Sequence, residues 1–368
     1  MVGKEILMGK KILVACADYP DLNGNLAMMY VHVRNRYYVA HGMDVVVLNF
    51  RATFDYIIDG IRVISLKTYK NQKRLYNILI CHAPNVRNHY VFLRKYGKRF
   101  AKFIFFFHGH EVVRVSKVYP ESYDYKKSES KLYRKMRDVY DKFKLWIWHD
   151  YFPKVYRKSE YIFVSKTLFG EFKQFIGWKD KFENHVRIIH NSVSPVFEEN
   201  NYRYDSDKKY DFITIRGNMD SSVYCIDLVT ALARKFPQCK FLVIGKGKWF
   251  EINRKPENIT WIDQNIDHKS MMKYIDSAKC ALMLTRRDSQ GVMSCELVTY
   301  GIPLISSDIE VCREILGGFQ NVRLIRNDDI DQTDLLGVYD QLCSKISSEK
   351  IKRYFYENTV KQEEILLK

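Results

Sequence analysis

The residues Ala281 to Leu316, ALMLTRRDSQGVMSCELVTYGIPLISSDIEVCREIL, decide the fold of this chain. A strand-like apolar run opens into a polar loop, and a second apolar run follows the Gly-Ile-Pro at 301–303, which is a typical end of a helix. Asp288 and Glu296 stand eight residues apart. If the helix begins near Gly291, the first carboxylate lies on the loop before it and the second projects about one turn into it.

The start of this helix predicts a ligand site. The amides of Gly291, Val292 and Met293 belong to the first turn, where backbone N–H groups have no intrahelical acceptor. Such amides suit an anionic group, for example a diphosphate. A simpler interpretation is that the two acids are an N-terminal helix charge and a solvated side chain.

With Asp288-Ser289-Gln290-Gly291 before the helix and Glu296-Leu297 within it, the segment resembles the acid-x7-acid signature of the retaining family-4 glycosyltransferases. That family usually has Glu-Gly-Phe-Gly and Glu-Ala at these places. The resemblance implies that Asp288 is catalytic and touches hydroxyls of the donor sugar. It also implies that Gln290, Gly291, Val292 and Met293 lie in the donor loop, whose amides hold the diphosphate, and that Glu296 binds the ribose.

Short runs rich in Val, Ile and Phe recur along the chain with helical stretches between them, as in parallel sheets covered on both faces. They predict strands near residues 12–16, 45–48, 61–66, 78–81, 103–107, 161–164 and 186–189, and near 212–215, 241–244, 259–262, 280–284, 304–306 and 322–324. A polar stretch without periodicity, 191–209, separates the two sets. The chain is therefore predicted to be α/β, with two doubly wound Rossmann-like domains facing across a cleft, as in the GT-B fold.

The predicted domain bounds follow from this break. Residues 1–191 form an N-terminal acceptor-binding domain, and residues 192–347 form a C-terminal nucleotide-sugar-binding domain. The resemblance implies that residues 348–368 are a helix that packs back toward the first domain. His190-Asn191-Ser192 at the junction matches the family's Asn-Gly-Val region and is interpreted as a hinge.

Charge is distributed unevenly. Residues 1–190 carry 35 Lys and Arg against 17 Asp and Glu, whereas residues 191–368 carry 25 against 26. A basic half with interleaved aromatic residues suits an anionic membrane, a phosphorylated acceptor or nucleic acid. No zinc-finger or RRM signature is present, so we expect no nucleic-acid partner and keep a nucleic-acid-binding protein as the last alternative.

The apolar and cysteine patterns bear on location. No run of about twenty apolar residues exists, and residues 1–11 lack the apolar core of a secretory signal. The eight cysteines are scattered, mostly inside apolar runs, and none forms a Cys-x-x-Cys pair. We therefore expect reduced thiols and a cytoplasmic protein.

Two candidate sites lie in the first half. Gly24 follows the first strand and precedes a helical stretch predicted from Leu26 to His41, where the family has a Gly-rich loop near the donor phosphates; an ordinary turn is equally compatible. His108 follows the apolar strand 103–107 and matches a family residue close to the reacting sugar, so it is the second catalytic candidate. Metal binding by His108 and His110 is a weaker alternative, because no third ligand is evident and we expect no metal.

Four further donor-binding candidates lie in the second half. Arg216 and Asn218 follow a strand where family members carry Gly-Arg and, farther on, a Lys that neutralise the diphosphate. Here Asn218 takes the Arg position and 221–227 contains no Lys. Gly245 and Lys246 match the family's Gly-x-Gly turn beside the nucleotide. Arg216, Lys246, Arg286 and Arg287 are candidates to replace the missing cations.

The segment 126–158 has apolar and basic residues at helical spacing. Such a helix can rest on an anionic membrane with its apolar face among the headgroups. A core-facing helix with a solvated basic face gives the same pattern, and the sequence leaves both interpretations open.

Together these observations predict a retaining, metal-independent, hexosyltransferase-like enzyme. It would move a sugar from a nucleotide-sugar donor to a membrane-associated glycan or lipid acceptor, in the synthesis of a surface polysaccharide or glycolipid. The nucleotide sugar is a substrate, so no cofactor is expected, and the location is peripheral on the inner face of the cell membrane. The main alternative is a catalytically degenerate GT-B protein that binds nucleotide or glycan and partners an active enzyme.

Overall fold

The computed structural model describes residues 10–25, 27–126, 131–343 and 350–367, and within them two sheets of mainly parallel strands. The first sheet has the order β3-β4-β2-β1-β5-β6-β7-β8. Its strands are β1 Ile12–Cys16, β2 Val45–Asn49, β3 Tyr56–Ile58, β4 Ile61–Ile64, β5 Ile78–His82, β6 Lys102–Phe107, β7 Ser159–Phe163 and β8 Val186–Ile188. Only the β3–β4 pair is antiparallel in this sheet, as far as the chain is described.

The second sheet is entirely parallel and has the order β11-β10-β9-β12-β13-β14. Its strands are β9 Tyr210–Ile215, β10 Phe241–Ile244, β11 Ile259–Ile262, β12 Ala278–Met283, β13 Leu304–Ser307 and β14 Val322–Ile325. The predicted fold class, an α/β chain with two sets of parallel strands, is confirmed.

Helices separate the strands along the chain. They are α1 Met29–Ala40, α2 Leu66–Asn71, α3 Val91–Tyr96, α4 Val115–Val118, α5 Lys131–Val155, α6 Lys166–Ile176, α7 Pro195–Glu199, α8 Ile226–Lys235, α9 Trp249–Ile252, α10 His268–Asp276, α11 Val292–Tyr300, α12 Glu310–Leu316, α13 Leu335–Cys343 and α14 Val360–Leu367. Short turns of 3-10 helix occur as well, for example at His110–Val112 and Lys352–Tyr354, and Val86–Tyr90 is π-helical.

The strands form where they do because both faces of each sheet are covered. In β6 the five residues Phe103 to Phe107 are all buried, and β1 is buried along its whole length. The sequence of a central parallel strand is therefore a continuous apolar run, and for this reason these strands were predicted accurately. The sequence did not locate β3 because the strand has only three residues, of which Ile57 is exposed and the other two are partly exposed. The Asp59-Gly60 turn that closes its hairpin is nevertheless a recognised signal.

The chain divides by its internal contacts into two units. One contains the described residues of Met1–Arg114, Tyr140–Ser192 and Tyr356–Lys368, and the other those of Val115–Val139 and Val193–Phe355. The division falls inside α5, and α14 belongs to the first unit. The predicted domain bounds at 191/192 and 347/348, and the cleft, stay predictions.

Two predicted helices begin later than expected. α1 starts at Met29 rather than Leu26, and residue 26 itself lies outside the described part. The C-terminal helix starts at Val360 and is preceded by two 3-10 turns, whereas the predicted bounds began at residue 348, a position that is not described. The N-cap of α1 is Met28, and a helix start without a Ser, Thr, Asp or Asn cap gives little signal in the sequence.

Two findings concern the cysteines and the helices. The seven cysteines whose side chains are described are buried free thiols, in agreement with the expected core positions. In the described parts of the chain, no helix combines the length and apolar character that crossing a bilayer needs.

Candidate functional site

Three loops at the carboxyl ends of β9, β10 and β12 lie side by side in the second unit. Gly245 packs against the backbone after β9: a Cβ placed on it would lie 1.8 Å from the Arg216 carbonyl oxygen. The amide of Met219 donates to the carbonyl of Lys246 over 2.9 Å, which ties the two loops together. Ligands of open α/β sheets bind at this edge, so the predicted positions converge where a site is expected.

The loop after β12 is shaped by Asp288. Its Oδ1 accepts hydrogen bonds from the amides of Ser289 at 2.7 Å and Gln290 at 3.2 Å. Gly291 follows with φ +70°, and a Cβ on it would lie 2.9 Å from Asp288 Oδ2. The backbone therefore requires glycine here, and Asp288 is held in place before the helix.

α11 begins directly after this turn. Its N-cap is Gly291 in the left-handed conformation, and no side chain caps the first turn. Val292 and Met293 are partly exposed, whereas Gln290 is buried and its Nε2 lies 3.7 Å from the Cys295 sulfur. This arrangement can bind an anion through backbone N–H groups and the helix dipole.

Glu296 lies farther along α11 and is 2% exposed. Its Oε1 accepts from the amide of Ser194 over 3.3 Å, and its Oε2 lies 3.6 Å from Nε2 of His268, at the start of α10. Burial raises the pKa of the Glu296 carboxyl, while His268 and the Ser194 amide oppose that shift. A buried acid is better explained as a binding group than as a solvated side chain.

Arg216 is a cation that interacts with Asp288 of this turn. It is buried, its guanidinium donates to the Leu284 carbonyl over 2.6 Å, and it lies over the Tyr224 ring at 5.0 Å. Burial lowers its pKa, and attraction to Asp288 partly restores it. Within the described residues its buried Nε has no hydrogen-bond partner.

The other side chains predicted to lie near the diphosphate differ in exposure and in their partners. Lys246 and Asn218 are exposed, and Asn218 Oδ1 accepts from the Asp220 amide over 3.1 Å. Arg286 donates from both terminal nitrogens to the Asp227 carboxylate, over 2.9 and 2.6 Å. Its guanidinium is therefore engaged in a structural ion pair. Arg287 is 9% exposed and lies 4.7 Å from the Tyr119 ring centre.

In the first unit, His108 follows β6 as predicted and contacts a second histidine. Its Nε2 lies 3.0 Å from Nδ1 of His82, the last residue of β5. The Tyr30 ring packs on His108 at 4.5 Å, and the Phe106 ring stacks on His82 at 4.5 Å. His108 is thus the hydrogen-bond partner of His82.

The loop that carries His108 is held by two buried charged groups. Glu111 Oε1 accepts from the amides of His108 and Gly109. Lys144 of α5, which the sequence placed on a basic face, is instead buried and donates to the carbonyls of His110 at 2.9 Å and Val113 at 3.0 Å. Because the Lys144 ammonium group donates to these carbonyls, it holds the loop after β6 in place and does not face a binding partner at the surface.

Burial lowers the pKa of both histidines well below the usual range, and the positive Arg34 adds to the effect in each case. Both rings are therefore neutral near pH 7. In the described part of the chain, no three His, Cys, Asp or Glu side chains come together as metal ligands would.

Gly24 lies in the loop between β1 and α1. It is exposed with φ +87°, in a loop where Asp21 accepts from the amides of Asn23 and Asn25. A Cβ on Gly24 would contact nothing within 4 Å. The glycine precedes α1 by five positions, which departs from a Gly-rich loop that leads straight into a helix.

Some residues at these sites were not singled out by sequence. His268 and Ser194 contact Glu296, and Arg34 influences the histidine pair, yet all three are far from their partners along the chain. Only the positions of His268, before an apparent helix, and of Ser194, after the junction, gave a weak signal.

No protein-family model and no curated sequence matches this chain. Solved structures do resemble it. Sucrose-phosphate synthase from Thermosynechococcus elongatus superposes with a TM-score of 0.69 at 13% identity, covering 97% of this chain and 98% of that one. WaaG, a glycosyltransferase involved in lipopolysaccharide biosynthesis, gives 0.61 at 10% identity and 97% and 99% coverage. An E. coli trehalose-6-phosphate protein bound with UDP-2-fluoro glucose gives 0.58 at 12% identity and 97% and 98% coverage.

At this level of identity the likeness establishes the fold. These neighbours are GT-B proteins, so the GT-B architecture expected from the sequence is confirmed over nearly the whole chain. Membership of family 4 in particular stays a prediction.

Proposed function

We propose that this protein is a retaining, metal-independent glycosyltransferase that moves a sugar from a nucleotide sugar to a membrane-associated glycan or lipid. The observation that carries the proposal is the turn between β12 and α11. There Asp288, the uncapped helix start after Gly291 and the buried Glu296 follow one another beside Arg216. The GT-B fold and the glycosyltransferases among its structural neighbours support the reaction class.

Each group has a role in this proposal. The α11 amides and Arg216 bind the diphosphate and stabilise the charge that builds up as it leaves. Glu296 accepts hydrogen bonds from the ribose hydroxyls, and Asp288 does so from the sugar. Gly245 and Lys246 border the nucleotide, and Asn218 lies at the edge of the diphosphate.

The transfer step is a front-side displacement within an ion pair. The bond between the anomeric carbon and the diphosphate oxygen breaks, and its electron pair leaves with the diphosphate. The acceptor hydroxyl oxygen then bonds to the same face of the carbon, and its proton passes to the departing phosphate oxygen. His108 hydrogen-bonds the sugar during this step. The configuration of the donor is retained.

A panel of nucleotide sugars tests the proposal. The protein is incubated with UDP-, ADP-, GDP- and CDP-activated hexoses and a bacterial lipid extract, and nucleoside diphosphate release and labelled lipid product are measured. We expect one donor class to be consumed and the product to keep the donor's anomeric configuration by NMR. Inversion would contradict the mechanism, and no release from any donor would contradict the enzyme assignment.

A degenerate GT-B protein is the second candidate, and a specific observation favours it. The position of the family's phosphate-binding Arg holds the exposed Asn218, and Arg286 is already bound by Asp227. A protein of this kind would bind the nucleotide sugar without releasing the diphosphate. Binding measured by calorimetry together with no turnover would select this candidate.

The membrane part of the proposal rests on α5. Its inner face is core, but Leu132, Met136, Val139, Phe143 and Trp146 are at least half exposed. They are spaced by three or four residues and so share one face of the helix, next to the exposed Arg134, Lys135 and Lys142. An apolar stripe beside cations suits the interface of an anionic membrane, and this supports the proposed peripheral location at the inner face of the cell membrane.

Liposome flotation tests this surface. Replacing Phe143 and Trp146 with Ser should reduce binding to vesicles that contain phosphatidylglycerol, and replacing Arg134, Lys135 and Lys142 with Gln should weaken it by up to about 1 kcal/mol per charge. The matched control replaces three exposed cations of the second unit, Lys240, Arg254 and Lys269, with Gln. Equal binding by all variants would contradict this surface, and preferential binding of wild type to RNA would revive the nucleic-acid alternative.

A further inference from the structure

The segment 115–126 lies between β6 and β7 along the chain, yet by its contacts it is part of the second unit. The Tyr123 and Tyr125 rings stack with their centres 5.9 Å apart. Both lie against the Trp249 ring at the start of α9, at 4.4 and 6.2 Å between ring centres. We name this segment the tyrosine strap, and its two rings hold it against the core of the second unit.

The hydroxyl groups of the strap face two carboxylates that follow β9. Tyr125 Oη lies 2.7 Å from Asp220 Oδ1, and Tyr123 Oη lies 2.8 Å from Asp227 Oδ1. Burial and the adjacent carboxylate raise the pKa of each tyrosine above its usual range, so both hydroxyls keep their hydrogen near pH 7. An ionised carboxylate only accepts hydrogen bonds. The strap therefore donates one hydrogen bond to each acid.

Asp220 links the strap to the turn 245–248, which follows β10. The oxygen that accepts from Tyr125 also accepts from the Lys248 amide over 2.7 Å. A Cβ placed on Gly247 would lie 3.0 Å from the same oxygen, so the turn packs directly on the carboxylate. One bond from the strap and one from the proposed nucleotide-binding turn thus meet at a single atom.

Cations compensate both acids. Asp227 accepts from Tyr123 and from both terminal nitrogens of Arg286, and this fixes one side of the strap. Lys126, at the end of the strap, places its Nζ 3.4 Å from Asp220 Oδ2. A carboxylate whose charge is compensated repels a neighbouring anion less, so these contacts also suit the turn to a diphosphate.

We infer that Tyr125 is a positioning residue of the proposed donor site. By holding Asp220 Oδ1 in place, it holds the turn 245–248 in the arrangement that a nucleotide sugar binds. Tyr125 acts through Asp220 and not on the reacting atoms, so its hydroxyl contributes to donor affinity and not to the transfer step. The inference rests on the proposed function for the identity of the ligand, whereas the arrangement of the turn can be measured without a ligand.

The indole N–H of Trp261 reports on the turn, because its Nε1 donates to the Gly245 carbonyl over 3.0 Å. In the full chain labelled with ¹⁵N, this signal is identified by its loss in Trp261→Phe. We expect Tyr125→Phe to shift the Trp261 signal when no ligand is added. Tyr300→Phe is the matched control, since Tyr300 Oη donates to Asp276 Oδ1 over 2.9 Å at the carboxyl end of α11, and it should leave the signal in place. A Trp261 signal in Tyr125→Phe that coincides with that of wild type would overturn the inference.

Calorimetry with the nucleotide sugar found in the panel measures the effect on binding. Tyr125→Phe should weaken donor affinity about 3- to 10-fold, as expected for one lost hydrogen bond, and Tyr300→Phe should not. Urea unfolding should show similar losses of stability in both variants. In the background of Asp220→Ala, Tyr125→Phe should have no further effect, because the two groups act as a unit. Wild-type affinity in Tyr125→Phe, or additive losses in the double variant, would contradict the inference.

Kinetics separates binding from chemistry. Tyr125→Phe should raise KM about 3- to 10-fold and leave kcat within about twofold of wild type. A loss mainly of kcat would rule out a role in positioning alone. If the Trp261 signal shifts as expected but wild type binds no nucleotide sugar, the proposed function fails and the role of Tyr125 in holding the turn stands.

Discussion

His268 Nε2 lies 3.6 Å from Glu296 Oε2, so the imidazole ring is paired with this buried carboxylate. The two residues belong to different helices, α10 and α11, of the second unit. Burial raises the pKa of Glu296 above its ordinary value of 4.5. The charge of the proposed ribose-binding group therefore depends on its neighbour.

This pair predicts a pH dependence of nucleotide binding. Glu296 accepts ribose hydrogen bonds best when ionised, so affinity should fall as the pH drops through its raised pKa, at a higher pH than for an exposed Glu. His268→Gln removes an interaction that lowers this pKa and should move the loss to still higher pH. Calorimetric titrations from pH 5 to 8 measure it. If the nucleotide affinity of wild type does not change between pH 5 and 8, the proposed role of Glu296 is contradicted.

Gly291→Ala should damage the site rather than the whole fold. An alanine at φ +70° costs about 1–2 kcal/mol, and its Cβ would meet Asp288 Oδ2 at 2.9 Å. Gly42→Ala is the matched control, because Gly42 has φ +78° with nothing within 4 Å of the added Cβ. We expect similar losses of stability in urea unfolding but a loss of donor affinity in Gly291→Ala alone. If Gly291→Ala and Gly42→Ala bind the donor with equal affinity, the turn at Gly291 does not contact the donor.

Arg216→Met should weaken binding of the diphosphate more than binding of the nucleoside. Loss of a charged hydrogen bond costs about 1.5–3 kcal/mol, or roughly ten- to a hundredfold in affinity. The control is Arg286→Met, which breaks the pair with Asp227. It should lower stability but leave the ratio of nucleoside diphosphate to nucleoside affinity as in wild type. The same ratio in Arg216→Met would show that other groups neutralise the diphosphate.

Glu363→Ala should strongly destabilise the first unit. Glu363 and Arg34 are both 1% exposed, Arg34 Nε donates to its carboxylate at 2.8 and 2.9 Å, and Tyr38 donates to it as well. Removing the acid leaves a buried guanidinium without its partner, at a cost of about 3–5 kcal/mol. Glu357→Ala on the same C-terminal segment breaks an exposed pair with Lys361 and should change stability little. Urea unfolding of both variants measures the difference.

The sequence predicted those features that depend on neighbours along the chain. Buried parallel strands are continuous apolar runs, so most strands were located within a few residues. The β12 loop, Gly291 and the end of α11 at Gly301 were predicted because turn glycines and helix limits are local signals. By contrast, the buried role of Lys144 depends on the loop after β6, which the helical spacing of α5 could not show.

Contacts between segments that are far apart along the chain could not be predicted from the sequence for the same reason. Arg286 was a candidate phosphate ligand until the structure placed Asp227 beside it, 59 positions away. His82 and His108 meet because β5 and β6 are adjacent and parallel in the sheet, with His82 paired to Phe106. Strand order is a property of the folded chain and has no signature in the residues of either strand.

Calorimetric titration of wild type, Glu296→Gln and Glu251→Gln with the nucleotide-sugar panel tests the central claim most directly. Glu251 is an exposed acid of the same unit, so its variant controls for the change in charge. We expect wild type and Glu251→Gln to bind one class of nucleotide sugar equally, and Glu296→Gln to bind it about ten- to a hundredfold more weakly. If no nucleotide sugar binds wild type, or if Glu296→Gln binds as tightly as wild type, the turn between β12 and α11 is not the donor site.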